Sequence, residues 1–456
     1  MKERSRKTRI MEGTSYGFYF CGQNIFYYLL LTFLLTYFTD VGIPAIAVTG
    51  ITLIVKIWDA VNDPIFGGIV DRVKFKKGIF VPWLRISLLA IPLATVFLFA
   101  IPSDISVTMK MIWGAVGYIL WDTAYTICDV PIFGLVTTLT DDQHERTSLI
   151  SVGRIFAMVA TLAVYIVVPM TREMIGGWLP TAIVLSAAAL FFMAPICFVA
   201  KERVKPKDSE VEVGLRQMFG FIAHNKYLLI YFSSFTIVGG LNIASVMHLY
   251  VARYNLGDEG LMAVIALLSM VPSILAALFV PWITKRIDKY YVFWGASALS
   301  IVFNVIGYFV GYHDLTLLYI FSILRGFPGG MTGVLMFMFT PDCAEYGHYK
   351  SGVSAPGITF SIQTFAAKMT AALSTAAAGF ALWAISFVEG EGAAQLAGFN
   401  DKLWAIYLLV PAFGTLISLP ILSMYKLRDK YVQVMVKANV GEISRDEAEK
   451  VLAGKF

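Results

Sequence analysis

About twelve apolar segments, each longer than 20 residues, run through this sequence. A helix of about 20 apolar residues crosses the hydrocarbon core of a bilayer, so each segment is long enough to span a membrane. The segments are continuous rather than alternating in hydrophobicity, which argues against a β-barrel. Only 15% of the residues are charged and 58% are hydrophobic, whereas charged residues make up about a quarter of a typical soluble domain. The sequence therefore predicts an all-α polytopic membrane protein. The predicted spans cover approximately residues 15–39, 46–70, 79–101, 108–138, 148–170, 178–200, 226–252, 260–283, 290–311, 315–340, 353–387 and 402–425.

A long polar interruption, KERVKPKDSEVEVGLRQMFG, separates the sixth span from the seventh and divides the spans into two groups of six. The stretches after spans four and ten also carry acidic and basic residues in a similar order. Parallel repeats of this kind occur in the two halves of major facilitator carriers. We therefore expect 12 transmembrane helices in the major facilitator fold. The expected parts are a six-helix bundle at 1–200, a cytoplasmic central loop at 201–225, a second six-helix bundle at 226–426 and a cytoplasmic tail at 427–456.

Lysine and arginine residues are distributed unevenly between the predicted loops. They cluster before the first span and after the second, sixth and eighth spans, whereas the loops DVGIPAIA and VEGEGAAQLAGFND contain none. The positive-inside rule then places both termini in the cytoplasm of a protein in the cell (inner or plasma) membrane. Because the net charge of +5 comes from these loops, we expect the lipid bilayer as a partner and no nucleic acid.

The second span, LIVKIWDAVNDPIFGGIV, carries three oxygen-bearing side chains in an otherwise apolar stretch. Asp59, Asn62 and Asp63 stand at i, i+3 and i+4, on one face of a helix. A carboxylate at the bilayer centre costs at least about 2.5–3.5 kcal/mol, so intramembrane acids indicate function by default. This group predicts a site for a small cation such as Na⁺, or a proton-accepting pair. The structural alternative is an ion cluster with Lys56 and a distant base.

Three other spans contain charged side chains. Asp129 lies in span four, three residues after Thr126; Arg154 lies in span five and Lys368 in span eleven. Because each is costly if left unpaired in lipid, we expect them to converge on a shared polar cavity. Arg154 is close to a loop, so it also suits an anchor that extends its charge to the membrane surface.

The first span begins with YGFYFCGQNIFYY, which places Gln23 and Asn24 next to Tyr27. Amides and aromatic rings suit a polyhydroxylated ligand, because hydroxyls need hydrogen-bond partners and a sugar face needs a flat apolar surface. The five histidines are scattered, with no HExxH, GxSxG or phosphate-loop motif, so we expect no enzyme. The four cysteines show no paired spacing and indicate neither disulfides nor a zinc site.

Several of these stretches resemble the glycoside–pentoside–hexuronide:cation symporters of the major facilitator superfamily. The matching stretches are IWDAVNDPIFGGIVD in span two, YGFYFCGQN and YFTDVG in span one, TICDVP in span four and SIQTFAAK in span eleven. The resemblance runs from about Ser15 to about Tyr425, and its most specific motif is WDAxNDP.

The resemblance implies a role for each matching residue. Melibiose carriers of this family bind their coupling cation, a metal ion or a proton, at the positions of Asp59, Asn62, Asp63 and Thr126. The implied sugar site and its charge links comprise Asp129, Arg154, Gln363, Thr364 and Lys368.

Two departures bear on the expected sugar. The melibiose carrier has a Lys-Asp pair where this chain has Gln23-Asn24, and a sugar-stacking tryptophan where this chain has Phe133. Both argue against galactoside specificity. The loss of an acid from span one better suits a ligand with its own negative charge, such as a hexuronide, or a pentoside.

From the sequence we expect a secondary active transporter that couples a cation, Na⁺ or H⁺, to uptake of a sugar or glycoside by alternating access. An amide such as Asn62 can coordinate a metal ion but cannot hold a titrating proton, which favours Na⁺. We expect no cofactor besides the coupling ion, and nothing in the sequence demands more than a monomer. The alternatives are a symporter for lysophospholipids or other amphiphiles with the same fold, and a sugar sensor that transports little.

Overall fold

The structure is a computed structural model that describes residues 6–73, 75, 78–140, 143–203, 225–351 and 356–453. Helices make up nearly all the regular structure of this part of the chain. Four short gaps and residues 204–224 interrupt these ranges. The helices are α1 (Arg6–Asp40), α2 (Ala45–Arg72), α3 (Val81–Leu98), α4 (Val107–Leu139), α5 (Gln143–Ile175), α6 (Trp178–Val199), α7 (Lys226–Gly240), α8 (Ala244–Tyr250) with a π-helical extension (Val251–Leu256), α9 (Leu261–Thr284), α10 (Lys289–Val310), α11 (Leu315–Ser351), α12 (Pro356–Ala384), α13 (Phe399–Ser423), α14 (Asp429–Asn439) and α15 (Arg445–Leu452).

Twelve candidate membrane spans occur in this described part of the chain, which confirms the predicted number. The seventh span is built from α7, α8 and the π-helical turn, with a break after Gly240. The tenth span does not end near residue 340 as predicted, because α11 continues through DCAEYGHYKS to Ser351. Polar residues stop an apolar run in a sequence, but they do not stop a helix.

Side-chain caps explain where several helices begin. The side chain of Ser106 accepts a hydrogen bond from the backbone N–H of Met109 (3.3 Å), and Asn225 accepts one from Leu228 (3.1 Å). Ser444 forms a reciprocal capping box with Glu447 at the start of α15. Each cap satisfies a backbone donor that has no partner within the helix.

The helices group into two units. Unit 1 contains Met1–Glu210 with two short segments from later in the chain, Asp258–Ala263 and Gly379–Ala397. Unit 2 contains Val211–Gly257, Val264–Ala378 and Gly398–Phe456. The predicted domain limits stay predictions, since residues 204–224 of the expected central loop lie outside the described part of the chain.

Within unit 1, α1 packs against α5 and α6, and α2 packs against α4. A close contact between α1 and α6 requires a glycine, because a Cβ on Gly22 would lie 2.5 Å from the carbonyl oxygen of Ala189. The pairing of α2 with α4 brings the acids of the second span beside the polar face of the fourth.

Within unit 2, α10 packs against α11 and α13, and α7 packs against α13. The tail helices α14 and α15 bury Met435 and Leu452 in the same apolar cluster as Phe293 and Phe339. Lys289 joins the tail to this unit through ion pairs with Asp342 (2.7 Å) and Asp429 (2.6 Å). The C-terminal tail is thus a packed part of unit 2.

Candidate cation and substrate site

A hydroxyl group links the two helices at the predicted cation site. Asn62 Nδ2 on α2 donates to Thr126 Oγ1 on α4 (2.8 Å), and Thr126 Oγ1 donates to Asp63 Oδ1 (3.0 Å). Thr126 is 2% exposed and Asn62 6%, so these polar groups are held inside the helix pair. The structure therefore brings Asn62, Asp63 and Thr126 together as the sequence predicts.

Lys56 supplies a positive charge next to this group. Its Nζ lies 3.2 Å from Asp59 Oδ2 and 3.9 Å from an oxygen of Asp122. The ion pair that the structural alternative required is thus present, alongside the Asn62–Thr126–Asp63 network. The two interpretations are compatible, because a lysine next to a carboxylate favours its charged form, which is also the form that binds a cation.

The sequence interpretation did not include Asp122. It lies one turn before Thr126, and its backbone oxygen is 3.2 Å from the Thr126 hydroxyl. Asp122 could have been identified from its spacing: Asp122, Thr126 and Asp129 stand at i, i+4 and i+7, which puts all three on one face of α4.

The donor groups around Thr126 suit a small, hard cation. Carboxylate, amide and hydroxyl oxygens are the ligands that such ions prefer. In the described part of the chain, no three His, Cys, Asp or Glu side chains form a group that could hold a metal ion.

The predicted substrate residues Gln23, Tyr27 and Asp129 also lie together. Gln23 Nε2 donates to Asp129 Oδ1 (2.7 Å) and to the hydroxyl of Tyr125 (3.2 Å). The ring of Tyr27 lies 5.8 Å from that of Tyr125, centroid to centroid. Tyr125 is a residue that the sequence interpretation missed, although it precedes Asp129 by one helical turn.

Three other predicted residues of unit 1 lie in surroundings that differ from those of Gln23 and Asp129. Asn24 Nδ2 donates to the backbone oxygen of Phe20 in its own helix (2.8 Å). Phe133 is exposed, and its ring packs edge-on against Phe20 at 5.4 Å. Arg154 is exposed as well.

The remaining predicted residues belong to α12 in unit 2. Gln363 Oε1 is buried and has no hydrogen-bond partner among the described residues. Lys368 is half-buried, and the side chain of Thr364 lies outside the described part of the structure. A shared cavity that joins these three residues to Asp129 stays a prediction.

Residues 15–429 match the family model described as MFS/sugar transport protein. The chain belongs to this family. It is 30% identical to the uncharacterized symporter YjmB of Bacillus subtilis, across 94% of this chain and 95% of the relative. It is 28% identical to an isoprimeverose transporter of Lactiplantibacillus pentosus, across 89% of this chain and 86% of the relative.

The fold agrees with this assignment. The crystal structure of the nucleoside transporter NupG aligns with a TM-score of 0.67 and 13% identity, across 92% of this chain and 99% of NupG. The resemblance to major facilitator sugar symporters and the predicted fold are both confirmed. The chain is a multi-pass membrane protein, and the relatives and structural neighbours given above are transporters.

Proposed function

We propose that this sugar symporter couples entry of a monovalent cation, Na⁺ in preference to H⁺, to uptake of a glycoside, pentoside or hexuronide across the cell membrane. Both termini would face the cytoplasm. The observation that carries the proposal is the placement of two ligand sets on α4: Thr126 contacts Asn62 and Asp63, and Asp129 contacts Gln23. Thr126 and Asp129 are three positions apart along the helix, a rise of about 4.5 Å.

The coupling ion would replace Lys56 as the positive charge beside Asp59. In the structure the Lys56 ammonium neutralises Asp59 and approaches Asp122. A Na⁺ ion bound by Asp59, Asp63 and the neighbouring oxygens would take over that role. The affinity for Na⁺ would then depend on the free energy needed to move the Lys56 ammonium away from Asp59. The site would hold one positive charge at a time, either the ammonium or the ion.

The sugar would bind beside the cation, at Gln23, Tyr27, Tyr125 and Asp129. The Asp129 carboxylate can accept hydrogen bonds from sugar hydroxyls, and the tyrosine rings offer a flat apolar face. Gln23 holds Asp129 at 2.7 Å in the structure. Because α4 carries ligands for both solutes, cation binding would fix the position of Asp129 and raise sugar affinity. By thermodynamic reciprocity, sugar would raise cation affinity by the same factor.

Proteoliposome uptake tests the proposal. The wild type would be assayed with a radiolabelled panel that includes isoprimeverose, a methyl galactoside, a xyloside and a methyl glucuronide, under imposed Na⁺ and proton gradients. We expect at least one compound to accumulate with the Na⁺ gradient. Asp59→Asn should abolish accumulation while leaving exchange of the same sugar across the membrane.

The matched control is Asp104→Asn, which removes an exposed carboxylate of the same unit. This variant should accumulate sugar as the wild type does. Accumulation driven by protons alone would contradict the choice of Na⁺, and the absence of any sugar flux under either gradient would contradict cation–sugar symport.

A further inference from the structure

A cleft of about 390 Å³ lies in unit 2 where α10, α13 and α14 meet. Its lining consists of Asp288 and Tyr291 at the start of α10, and of Lys426, Arg428, Lys430 and Tyr431 between α13 and the first turn of α14. The candidate span of α13 ends at Ser423, and that of α10 begins at Lys289. The cleft therefore lies where two spans leave the hydrocarbon core, at the level of the lipid headgroups.

The lining of this cleft is mainly cationic. Lys426 and Lys430 are exposed, and Arg428 is half-buried. None of the three forms an ion pair with another residue in the ranges that the structure describes. Asp288 is the only acid among the described residues of the lining, so three positive charges and one negative charge give the cleft a net charge of +2. Such a lining attracts an anion.

The acids near the cleft already have partners. Asp288 Oδ1 accepts a hydrogen bond from the backbone N–H of Tyr290 (2.9 Å), and its Oδ2 accepts one from that of Asp429 (2.8 Å). The Asp429 carboxylate is in turn paired with Lys289 (2.6 Å). These contacts join the start of α10 to the start of α14 and leave the three lining cations for an external anion.

Aromatic rings hold Arg428 in place. Its guanidinium lies 3.4 Å from the ring centroid of Tyr290 and 5.7 Å from that of Tyr291. Its Nη1 donates to the backbone oxygen of Tyr425. An arginine has five N–H donors in a planar fork, and this fork matches two oxygens of a phosphate group. Arg428 is thus a positioned phosphate-binding group, because only one donor is engaged within the described part of the chain.

Apolar side chains border the cleft. Tyr291 in the lining is exposed, and so are Ile287 and Met424, which lie within two positions of lining residues along the chain. Tyrosine rings are typical of the boundary between membrane and water. A soluble anion would leave these apolar surfaces in water, whereas the acyl chains of a lipid would cover them.

We propose that this cleft binds the phosphate of an anionic phospholipid. Arg428 donates to the phosphate oxygens, and Lys426 and Lys430 add the attraction that cations near a membrane surface exert on anionic lipids. The acyl chains lie over Ile287 and Met424. The bound lipid would hold the tail helix α14 against α10. This site uses none of the residues of the proposed cation and sugar sites, so it does not depend on symport.

Native mass spectrometry of the full-length protein tests the proposal by measuring the dissociation constant of the first bound lipid. The probes are phosphatidylglycerol and phosphatidylcholine with identical acyl chains, which differ in the net charge of the headgroup. We expect the wild type to bind phosphatidylglycerol at least tenfold more tightly. The double variant Lys426→Gln/Lys430→Gln should lose most of this preference. Arg428→Lys keeps the charge but loses the fork, and it should weaken phosphatidylglycerol binding several-fold.

Lys285→Gln/Arg286→Gln is the matched control, because it removes two exposed cations of the same unit that do not line the cleft. It should keep the wild-type preference, and thermal unfolding would establish that each variant is folded. An unchanged preference in folded Lys426→Gln/Lys430→Gln, or an equal loss in the control, would overturn the proposal.

A competition experiment distinguishes the lipid from a soluble phosphate compound. sn-Glycerol 3-phosphate carries a phosphate but no acyl chains, so a tenfold excess over phosphatidylglycerol should leave the lipid bound. Displacement of the lipid at this excess would mean that the phosphate alone determines binding, and the assignment of the cleft to a phospholipid would then be wrong.

Discussion

At the scale of single residues, the Thr126 hydroxyl is the group on which the proposed cation site depends most. It accepts from Asn62 and donates to Asp63, so it fixes the orientation of both. Thr126→Val keeps the shape of the side chain and removes the oxygen. The loss of one such interaction costs about 1–1.5 kcal/mol, and 1.4 kcal/mol corresponds to a tenfold change in affinity. We expect the Na⁺ concentration for half-maximal sugar uptake to rise about tenfold.

Thr161→Val is the control for this prediction. Thr161 is also buried in a helix of unit 1, and its hydroxyl donates to the backbone oxygen of Ala157 in its own helix (2.9 Å). Its Na⁺ dependence should match that of the wild type within twofold. An unchanged Na⁺ dependence in Thr126→Val would show that the hydroxyl is not a ligand or a positioning group.

The spacing of Asn62 and Asp63 along one face of α2 predicted these two members of the α2–α4 network from the sequence, whereas Thr126 was predicted as their partner through the resemblance to the symporter family. The sequence interpretation missed Asp122 and Tyr125, since their importance comes from contacts with Lys56 and Gln23 on other helices. It also treated Gln23 and Asn24 as an equivalent pair. Consecutive helical residues point in different directions, so Gln23 reaches Asp129 whereas Asn24 bonds to its own helix.

At the scale of helices, α9 and α11 approach so closely that their contact requires glycine. A Cβ on Gly330 would lie 2.0 Å from the backbone oxygen of Ser273. Backbone atoms cannot move aside cheaply, so Gly330→Ala must separate the helices. Overpacking of this kind costs about 1–3 kcal/mol. We therefore expect the variant to unfold at a temperature several degrees lower than the wild type in detergent, as measured by differential scanning fluorimetry.

Gly333 lies on the same helix, three residues later, with nothing within 4 Å of an added Cβ. Gly333→Ala should therefore unfold at the wild-type temperature or slightly above it, since alanine favours the helix over glycine. A larger destabilisation by Gly333→Ala than by Gly330→Ala would contradict the contact between α9 and α11.

The number of membrane helices could be predicted because hydrophobic length alone determines it. Helix ends were less predictable, since they depend on packing. α11 continues eleven residues beyond the predicted end of its span, where the buried Cys343 and Tyr346 pack in the apolar core of unit 2. The tail at 427–456 was predicted as a segment separate from the second bundle, but Met435 and Leu452 are buried against the same core.

At the scale of the whole molecule, the composition of unit 1 was not predictable from the order of the spans. Asp258–Ala263 and Gly379–Ala397 come from the second half of the sequence but belong to unit 1. The backbone N–H groups of Gly390 and Glu391 donate to the carbonyl oxygens of Thr39 (2.8 Å) and Asp40 (3.0 Å). No local pattern marks such contacts, because the partners are about 350 residues apart.

Arg172 holds these segments of unit 1 together. Its guanidinium pairs with Asp40 (3.4 Å), Glu259 (2.6 Å) and Glu391, and it lies over the ring of Trp178. The Asp40 side chain is 2% exposed, so removal of its counter-charge leaves a buried carboxylate. Breaking a buried pair in this way costs about 3–5 kcal/mol. Arg172→Gln should therefore loosen the 388–397 segment.

Hydrogen–deuterium exchange measures this directly, because the amides of Gly390 and Glu391 are protected by bonds to Thr39 and Asp40. We expect these two amides to exchange at least tenfold faster in Arg172→Gln, since local opening sets their exchange rate. Lys110→Gln removes a cation of the same unit that donates to the backbone oxygen of Val41 (3.0 Å), and it should leave them unchanged. Equal exchange in Arg172→Gln and the wild type would mean that backbone hydrogen bonds alone fix the segment, and that the ion cluster contributes nothing to its docking.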